Sequence, residues 1–318
     1  ELAALAAEST PAAAVAAAGV GPAGTGGQQI SASEITEIKA AANKLFTAGE
    51  RVTACAEYER GWNLLRSSRA STPTAEEASA LDTLEVALLL NLAACAHGDG
   101  RHIEALAHAE AALVLSPNNA TKANYRKGQA LRGLGRRAEA EAAFSAVIKL
   151  EPHNRQAHTE LAALAADALA EQVGGIKAAA NKLFAAGERV TACAEYERGS
   201  QLLRSSRPST RTVEEASPLD TLEVALLLNL AACAHGDGRH IEALAHAEAA
   251  LVLSPDATKA HYRKGQALRG LGRRAEAEAA FSAVIELEPQ NRQAQAELAA
   301  LAAEATPAAA GEAAAVGS

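Results

Sequence analysis

The sequence predicts an all-α protein built from two tandem copies of a helical-repeat domain, and three observations carry that prediction. The stretch IKAAANKLFTAGERVTACAEYERG from Ile38 returns from Ile176 as IKAAANKLFAAGERVTACAEYERG, an offset of 138 residues. Within each copy glycines recur at a helix-hairpin period: Gly100 and Gly135 are 35 apart, Gly238 and Gly272 are 34 apart. The apolar fraction is mostly alanine and leucine with only 3% aromatic residues, so a core must come from helices packing closely on small side chains.

The duplication continues through LDTLEVALLLNLAACAHGDGRHIEALAHAEAALVLSP and, after a one-residue deletion where Asn118-Asn119 becomes Asp256, through YRKGQALRGLGRRAEAEAAFSAVI. A repeat of this kind outranks every other local signal, because overlooking it misreads the whole fold. The ends carry the same message. ELAALAAESTPAAA at Glu1 restates ELAALAAEATPAAA at Glu297, and no methionine stands at position 1. The expectation is that residues 1–7 are the tail of a preceding copy in a longer parent protein.

Bulk composition narrows the function. A chain of 318 residues, 49% hydrophobic and 21% charged, suffices for two ordinary domains. A formal charge of −8 argues against general affinity for nucleic acid or acidic membranes. No apolar run approaches the length of a membrane span, and no membrane partner is expected. Cys55, Cys95, Cys193 and Cys233 lie in apolar helical patterns without CxxC spacing. They read as small core residues in a reducing, cytoplasmic setting ahead of disulfides or metal ligands.

A shorter period runs inside each copy. Ala42, Asn43, Gly49, Ala54 and Tyr58 are followed by Ala93, Gly100, Ala105, Ala109 and Pro117, then by Gly128, Gly135, Ala140, Phe144 and Pro152. Small residues where two helices meet, a turn glycine between them and a closing proline resemble the tetratricopeptide-repeat (TPR) family over most of the chain. The resemblance implies two three-repeat domains, each a right-handed helical solenoid with a C-terminal capping helix. The helices of the first copy are expected at 34–48, 50–66, 80–98, 101–115, 119–133, 136–150 and 154–171, with SSRASTPTAEEASA at 67–80 as an inserted polar loop. Ala42 in place of the usual glycine and Arg51 in place of the usual aromatic make the first repeat the least secure.

The domains are therefore expected at 34–171 and 172–304. Residues 8–33, with GPAGTGG at their centre, and residues 305–318 read as flexible Ala/Gly/Pro segments, too poor in apolar surface to order. The junction near Gln172-Val173-Gly174-Gly175 is short, so the last helix of the first copy runs almost directly into the second.

The resemblance also implies that the first helix of each repeat lines the concave face, so its polar residues carry the functional question. In copy one these are Lys39, Asn43, Asn91, Lys122 and Arg126; copy two repeats them as Lys177, Asn181, Asn229, Lys259 and Arg263. The i, i+4 spacing of Lys39/Asn43 and of Lys122/Arg126 places each pair on one helical face. Three cations and two amides suit a doubly anionic target such as a C-terminal Asp, whose two carboxylates are adjacent. Charge-assisted hydrogen bonds of this kind contribute roughly 1.5–3 kcal/mol each, and capture of a chain end is a recurring mode of peptide recognition.

In KAAAN, LLLNLAA and KANYRKGQA, and again in KAAAN, LLLNLAA and KAHYRKGQA, the chain resembles the carboxylate-clamp TPR domains of heat-shock co-chaperones. The resemblance implies binding of the Glu-Glu-Val-Asp terminus of the seventy- and ninety-kilodalton heat-shock chaperones, without cofactor. The alternative is a TPR scaffold in a larger assembly with no clamp activity; a targeting domain of an organelle import receptor is a third reading. The copies count nearly as one observation, because recent duplication alone preserves the set.

Other features are set aside. His97, Asp99 and His102, repeated as His235, Asp237 and His240, fall at a helix turn and read as a solvated turn, not a metal site. RGLGRR lacks the strand and the Lys-Ser/Thr ending of a phosphate loop. Tyr125, Tyr262, Phe46 and Phe184 read as packing or groove-lining residues. Arg132 and Arg269 are expected to extend the basic surface toward the upstream glutamates of a ligand. No nucleophile–base or paired-carboxylate arrangement suggests an enzyme.

Overall fold

A computed structural model describes residues 31–68, 75–117, 120–206 and 218–305. The expected preceding tail, most of the 8–33 linker and residues 306–318 lie outside the described residues. Among those described there are thirteen helices and no strand. In chain order they are α1 (Ala32–Thr47), α2 (Arg51–Ser68), α3 (Ala75–Gly98), α4 (His102–Leu115), α5 (Ala120–Gly133), α6 (Arg137–Leu150), α7 (Arg155–Ala185), α8 (Arg189–Ser206), α9 (Pro218–Gly236), α10 (His240–Leu253), α11 (Thr258–Gly270), α12 (Arg274–Leu287) and α13 (Arg292–Ala305). Along most of the chain successive helices pack on one another, as expected of an all-α repeat stack.

Two compact units divide at Ala165–Ala166, a few residues before the division at 171–172 read from the sequence. In the first unit, Ile35, Ala42, Tyr58, Leu65, Leu88 and Cys95 form the core of the first hairpin and α3. A second cluster of Ala105, Leu131, Ala140, Phe144 and Leu164 joins α4 to α7. Alanines at the helix crossings, several with no exposure at all, let backbones approach closely and replace aromatic bulk. Ala42 is fully buried and Ala93 nearly so, so the first and second repeats close on alanine where the third uses Gly128. The second unit repeats both clusters, around Val173, Ala180, Tyr196, Leu226 and Cys233 and around Ala243, Leu268, Phe281 and Leu301.

The turns between paired helices follow one design. Gly100 takes φ +76°, the left-handed region that L side chains avoid. This allows the Arg101 N–H to reach back to the Ala96 carbonyl at 2.8 Å, a Schellman-type closure of the helix end. Gly135, Gly238 and Gly272 repeat it, with φ between 72° and 74°.

Four expectations are corrected. Helix α1 begins at Ala32 behind a capping box, in which the Ser31 hydroxyl accepts from the Glu34 N–H at 3.3 Å and the Glu34 carboxylate accepts from the Ser31 N–H at 2.9 Å; residues 31–33 thus belong to the domain. Helix α3 begins at Ala75, inside the expected polar loop, because Ala75-Glu76-Glu77-Ala78 are strong helix formers. The seventh helix does not stop at 171: α7 runs unbroken to Ala185. Val173, Ile176 and Ala180 are buried on its inner face, and their burial outweighs the poor helix propensity of Gly174 and Gly175. Finally, Ala78–Gly98 and Pro218–Gly236 are long and apolar enough, by length and composition, to cross a membrane, with mean hydropathy 1.5 and 1.2. Asp82, Glu85, Asp220 and Glu223 interrupt the apolar runs without outweighing the leucines. Of each window 44% is buried inside the protein, as in the central helix of a packed unit.

Candidate functional site: a basic cleft in each copy

In the second unit the C-terminal half of α7 carries Lys177 and Asn181, α9 carries Asn229, and α11 carries Lys259 and Arg263. All five line one cleft of about 550 Å³, together with Ala225, Leu228, Tyr262, Gln266 and Gln293. The i, i+4 pairs face the same side, and the middle helix contributes its amide between them. Asn229 Nδ2 donates to Asn181 Oδ1 at 3.1 Å, which ties the first helix to the second. The Tyr196 hydroxyl donates to the same oxygen at 2.6 Å.

The first unit repeats these contacts. Asn91 Nδ2 donates to Asn43 Oδ1 at 3.1 Å and the Tyr58 hydroxyl at 2.6 Å. Arg126 Nη1 donates to Gln129 Oε1 at 2.8 Å, as Arg263 does to Gln266. Each of the ten residues lining the second cleft has an identical counterpart in copy one: Lys39, Asn43, Ala87, Leu90, Asn91, Lys122, Tyr125, Arg126, Gln129 and Gln156.

The electrostatics favour an anion. Burial lowers the Arg126 guanidinium from its ordinary pKa, and it does the same to Arg263. A partly desolvated cation is stabilised by whatever negative group reaches it. Among the described residues no carboxylate pairs with Lys39, Lys122 or Arg126, or with Lys177, Lys259 or Arg263. The neighbouring lysines are different: Lys127 is bound to Glu110 at 2.9 Å and Lys264 to Glu248 at 3.1 Å. A cleft with three cations, two oriented amides and two glutamines can hold a group bearing several acceptor oxygens.

One expectation about the rim fails. Arg132 is ion-paired with Glu160 at 2.6 Å, and Arg269 is paired with Glu297 at 2.5 Å and also with Glu304. The hydroxyls of Tyr125 and Tyr262 also donate to Glu160 and Glu297, at 3.4 and 3.3 Å. These arginines are matched by acids from the next helix but one and do not extend the basic surface. At the turns, the His97 and His102 rings pack 5.1 Å apart, and Asp99 is held by Arg101 at 3.1 Å. Phe184 packs under Arg189, 5.9 Å from guanidinium carbon to ring centre.

Sequence reasoning missed the glutamines. Gln129 and Gln266 lie three residues beyond the arginines they hold, a helical spacing that could have drawn notice. Gln293 comes from α13, and nothing local in the sequence marks it.

The folds of both units define a helical-repeat protein. Each copy contains a tetratricopeptide repeat: models of that repeat match residues 121–154 and 258–291, one segment in each copy. Among solved structures the chain is similar to the C-terminal TPR-containing domain of a Plasmodium falciparum FK506-binding protein, at 20% identity and TM-score 0.40 over 44% of this chain and 91% of that one. It is also similar to the second TPR domain of human RPAP3, solved in complex with the HSP70 peptide SGPTIEEVD, at 27% identity and TM-score 0.34 over 42% of this chain and 96% of that one. The TPR2AB domain of yeast Sti1, in its HSP90 complex, matches at 17% identity and TM-score 0.37 over 85% of this chain and 98% of that one.

Proposed function

We propose that each copy is a receptor for the free C-terminal end of an acidic peptide, and that the chain is a two-site adaptor for tails of the Glu-Glu-Val-Asp type borne by seventy- and ninety-kilodalton heat-shock chaperones. The observation that carries the reading is the convergence of Lys177, Asn181, Asn229, Lys259 and Arg263, from three helices, on one cleft. A terminal Asp offers two carboxylates a few ångströms apart, enough to engage the lysines and the arginine together while both amides donate. An internal Asp lacks the second carboxylate. The role is binding without catalysis.

The test is calorimetric titration of the chain with a peptide ending in Glu-Glu-Val-Asp and with its C-terminally amidated form. Losing one charge-assisted contact set of roughly 1.5–3 kcal/mol corresponds to about a 10- to 150-fold weaker amide. Equal affinity for the two peptides rejects the receptor and leaves a scaffold.

A further inference from the structure

The second helix of each copy's first hairpin contributes none of the expected cleft residues, yet one of its side chains hydrogen-bonds a cleft asparagine from behind. Tyr58 on α2 and Tyr196 on α8 are each 2% exposed. Each hydroxyl donates to the Oδ1 of the clamp asparagine, Asn43 or Asn181, at 2.6 Å. That oxygen also accepts from Asn91 or Asn229 at 3.1 Å. A carbonyl oxygen has two lone pairs, so both are engaged by protein donors. The remaining face of the amide is its NH2 group.

We propose that Tyr58 and Tyr196 are specificity-determining positioning residues, which pin the asparagine amide so that the cleft offers only N–H donors there and therefore rejects a chain end bearing a carboxamide. The proposal rests on the receptor reading above. A carboxylate is acceptor-only and matches a donor-only site at either oxygen. A carboxamide carries two N–H bonds, and one orientation of it sets donor against donor. An unpinned asparagine could turn over and accept from it; a pinned one cannot. Turning over would leave the buried phenol proton without an acceptor, since Asn43 Oδ1 is the only hydrogen-bond acceptor of Tyr58 among the described residues. Burial also pushes the Tyr58 phenol up to about 12, so the hydroxyl remains a donor throughout the neutral range.

Two features show that this geometry belongs to the hairpin itself. The asparagine and tyrosine are 15 residues apart in both copies, with the same 2.6 Å separation. The helix bearing the asparagine, however, starts differently: Ser31 caps it 12 residues upstream in copy one, whereas α7 begins 26 residues before Asn181.

The experiment compares the full chain with its Tyr58→Phe, Tyr196→Phe and double variants, each titrated with a Glu-Glu-Val-Asp peptide as free acid and as amide. Phenylalanine keeps the buried ring, and each single variant leaves one unaltered copy as an internal reference. The expected result is a wild-type preference for the acid of at least about tenfold that shrinks to about threefold or less in the double variant, chiefly because the amide binds better. A proportional loss for both peptides, with their ratio unchanged, makes the phenol a packing group only and overturns the proposal. A wild type with no preference removes the receptor reading itself, so the two failures are distinguishable. If a variant does not fold, nuclear magnetic resonance of the wild type decides. Slowly exchanging hydroxyl protons on Tyr58 and Tyr196 are expected, and hydroxyl protons in fast exchange with water overturn the proposal.

Discussion

Gly128 sits so close to Phe144 that a Cβ at this position would lie 2.6 Å from Cε1 of the ring, and Gly265 stands in the same relation to Phe281. Both rings are fully buried and cannot retreat. Gly128→Ala or Gly265→Ala should therefore destabilise its copy by about 1–3 kcal/mol through overpacking, despite the better helix propensity of alanine. A lower urea midpoint with unchanged slope is the expected readout; an unchanged midpoint contradicts it.

Gly174 and Gly175 give the opposite expectation. They lie inside α7, and a Cβ at either meets nothing within 4 Å. Gly174→Ala and Gly175→Ala should each raise stability by about 0.5–1 kcal/mol. Thermal melts of the single and double variants check the increments and whether they add.

The copies differ in their cores at one informative pair. Trp62 packs edge-on against His108 with ring centres 5.9 Å apart and receives Arg66 over its face at 4.9 Å. Its counterpart Ser200 is 3% exposed, and its hydroxyl has no hydrogen-bond partner among the described residues. Ser200→Trp should stabilise the second copy by about 1–3 kcal/mol, the worth of burying a large apolar side chain in place of an unsatisfied polar one. Trp62 is the single tryptophan of the chain, so its fluorescence follows the first copy alone and far-ultraviolet circular dichroism follows both. In the unaltered protein the fluorescence midpoint should lie at or above the dichroism midpoint.

Arg126→Ala and Arg263→Ala address the clefts one at a time. Each should weaken the terminal-Asp peptide at its own site by about 1.5–3 kcal/mol with little loss of helicity, because among the described residues the guanidinium hydrogen-bonds only with Gln129 or Gln266. The unaltered chain should bind two peptides with one intrinsic affinity, since the cleft residues of the two copies are identical. Either single variant should convert this to one strong and one weak site.

Histidines set the acid limit. Burial is the leading cause that lowers the pKa of His97, His108, His235 and His246, with His102 and Arg126 adding repulsion at His97. A histidine depressed in the folded state takes up its proton more readily when unfolded, so its contribution is complete above the ordinary value of 6.5. That contribution drains away as pH falls through the lower folded value. The urea midpoint should be flat between about pH 7 and 8 and decline from about pH 6.5 downward. His97→Gln with His235→Gln should make the decline shallower.

The repeat plan was readable because it depends on local rules. Turn glycines with positive φ, alanines at crossings and the i, i+4 pairing of Lys39 with Asn43 all act within a turn or two of helix. The run of α7 through Gly174-Gly175 was not readable. Two glycines signal a break in isolation, and only the burial of Val173 and Ile176 by other helices reverses that signal. The same limit hid part of the cleft. Its five expected residues lie on helices whose faces the spacing defines, whereas Gln293 enters through packing between segments distant in sequence and the tyrosine behind each asparagine through the packing of one helix on the next. The supposed basic role of Arg132 failed for a related reason: its acidic partner Glu160 lies 28 residues away, on the next helix but one.

Because α7 supplies Leu164 to one core and Val173 to the other with helical hydrogen bonding throughout, no exposed loop separates the copies for a protease to enter. Digestion under native conditions should not release two intact halves at this point. Gene fragments designed to express either copy alone need to retain the whole of Arg155–Ala185, since an end placed inside it strips one half of its last helix or the other of its first.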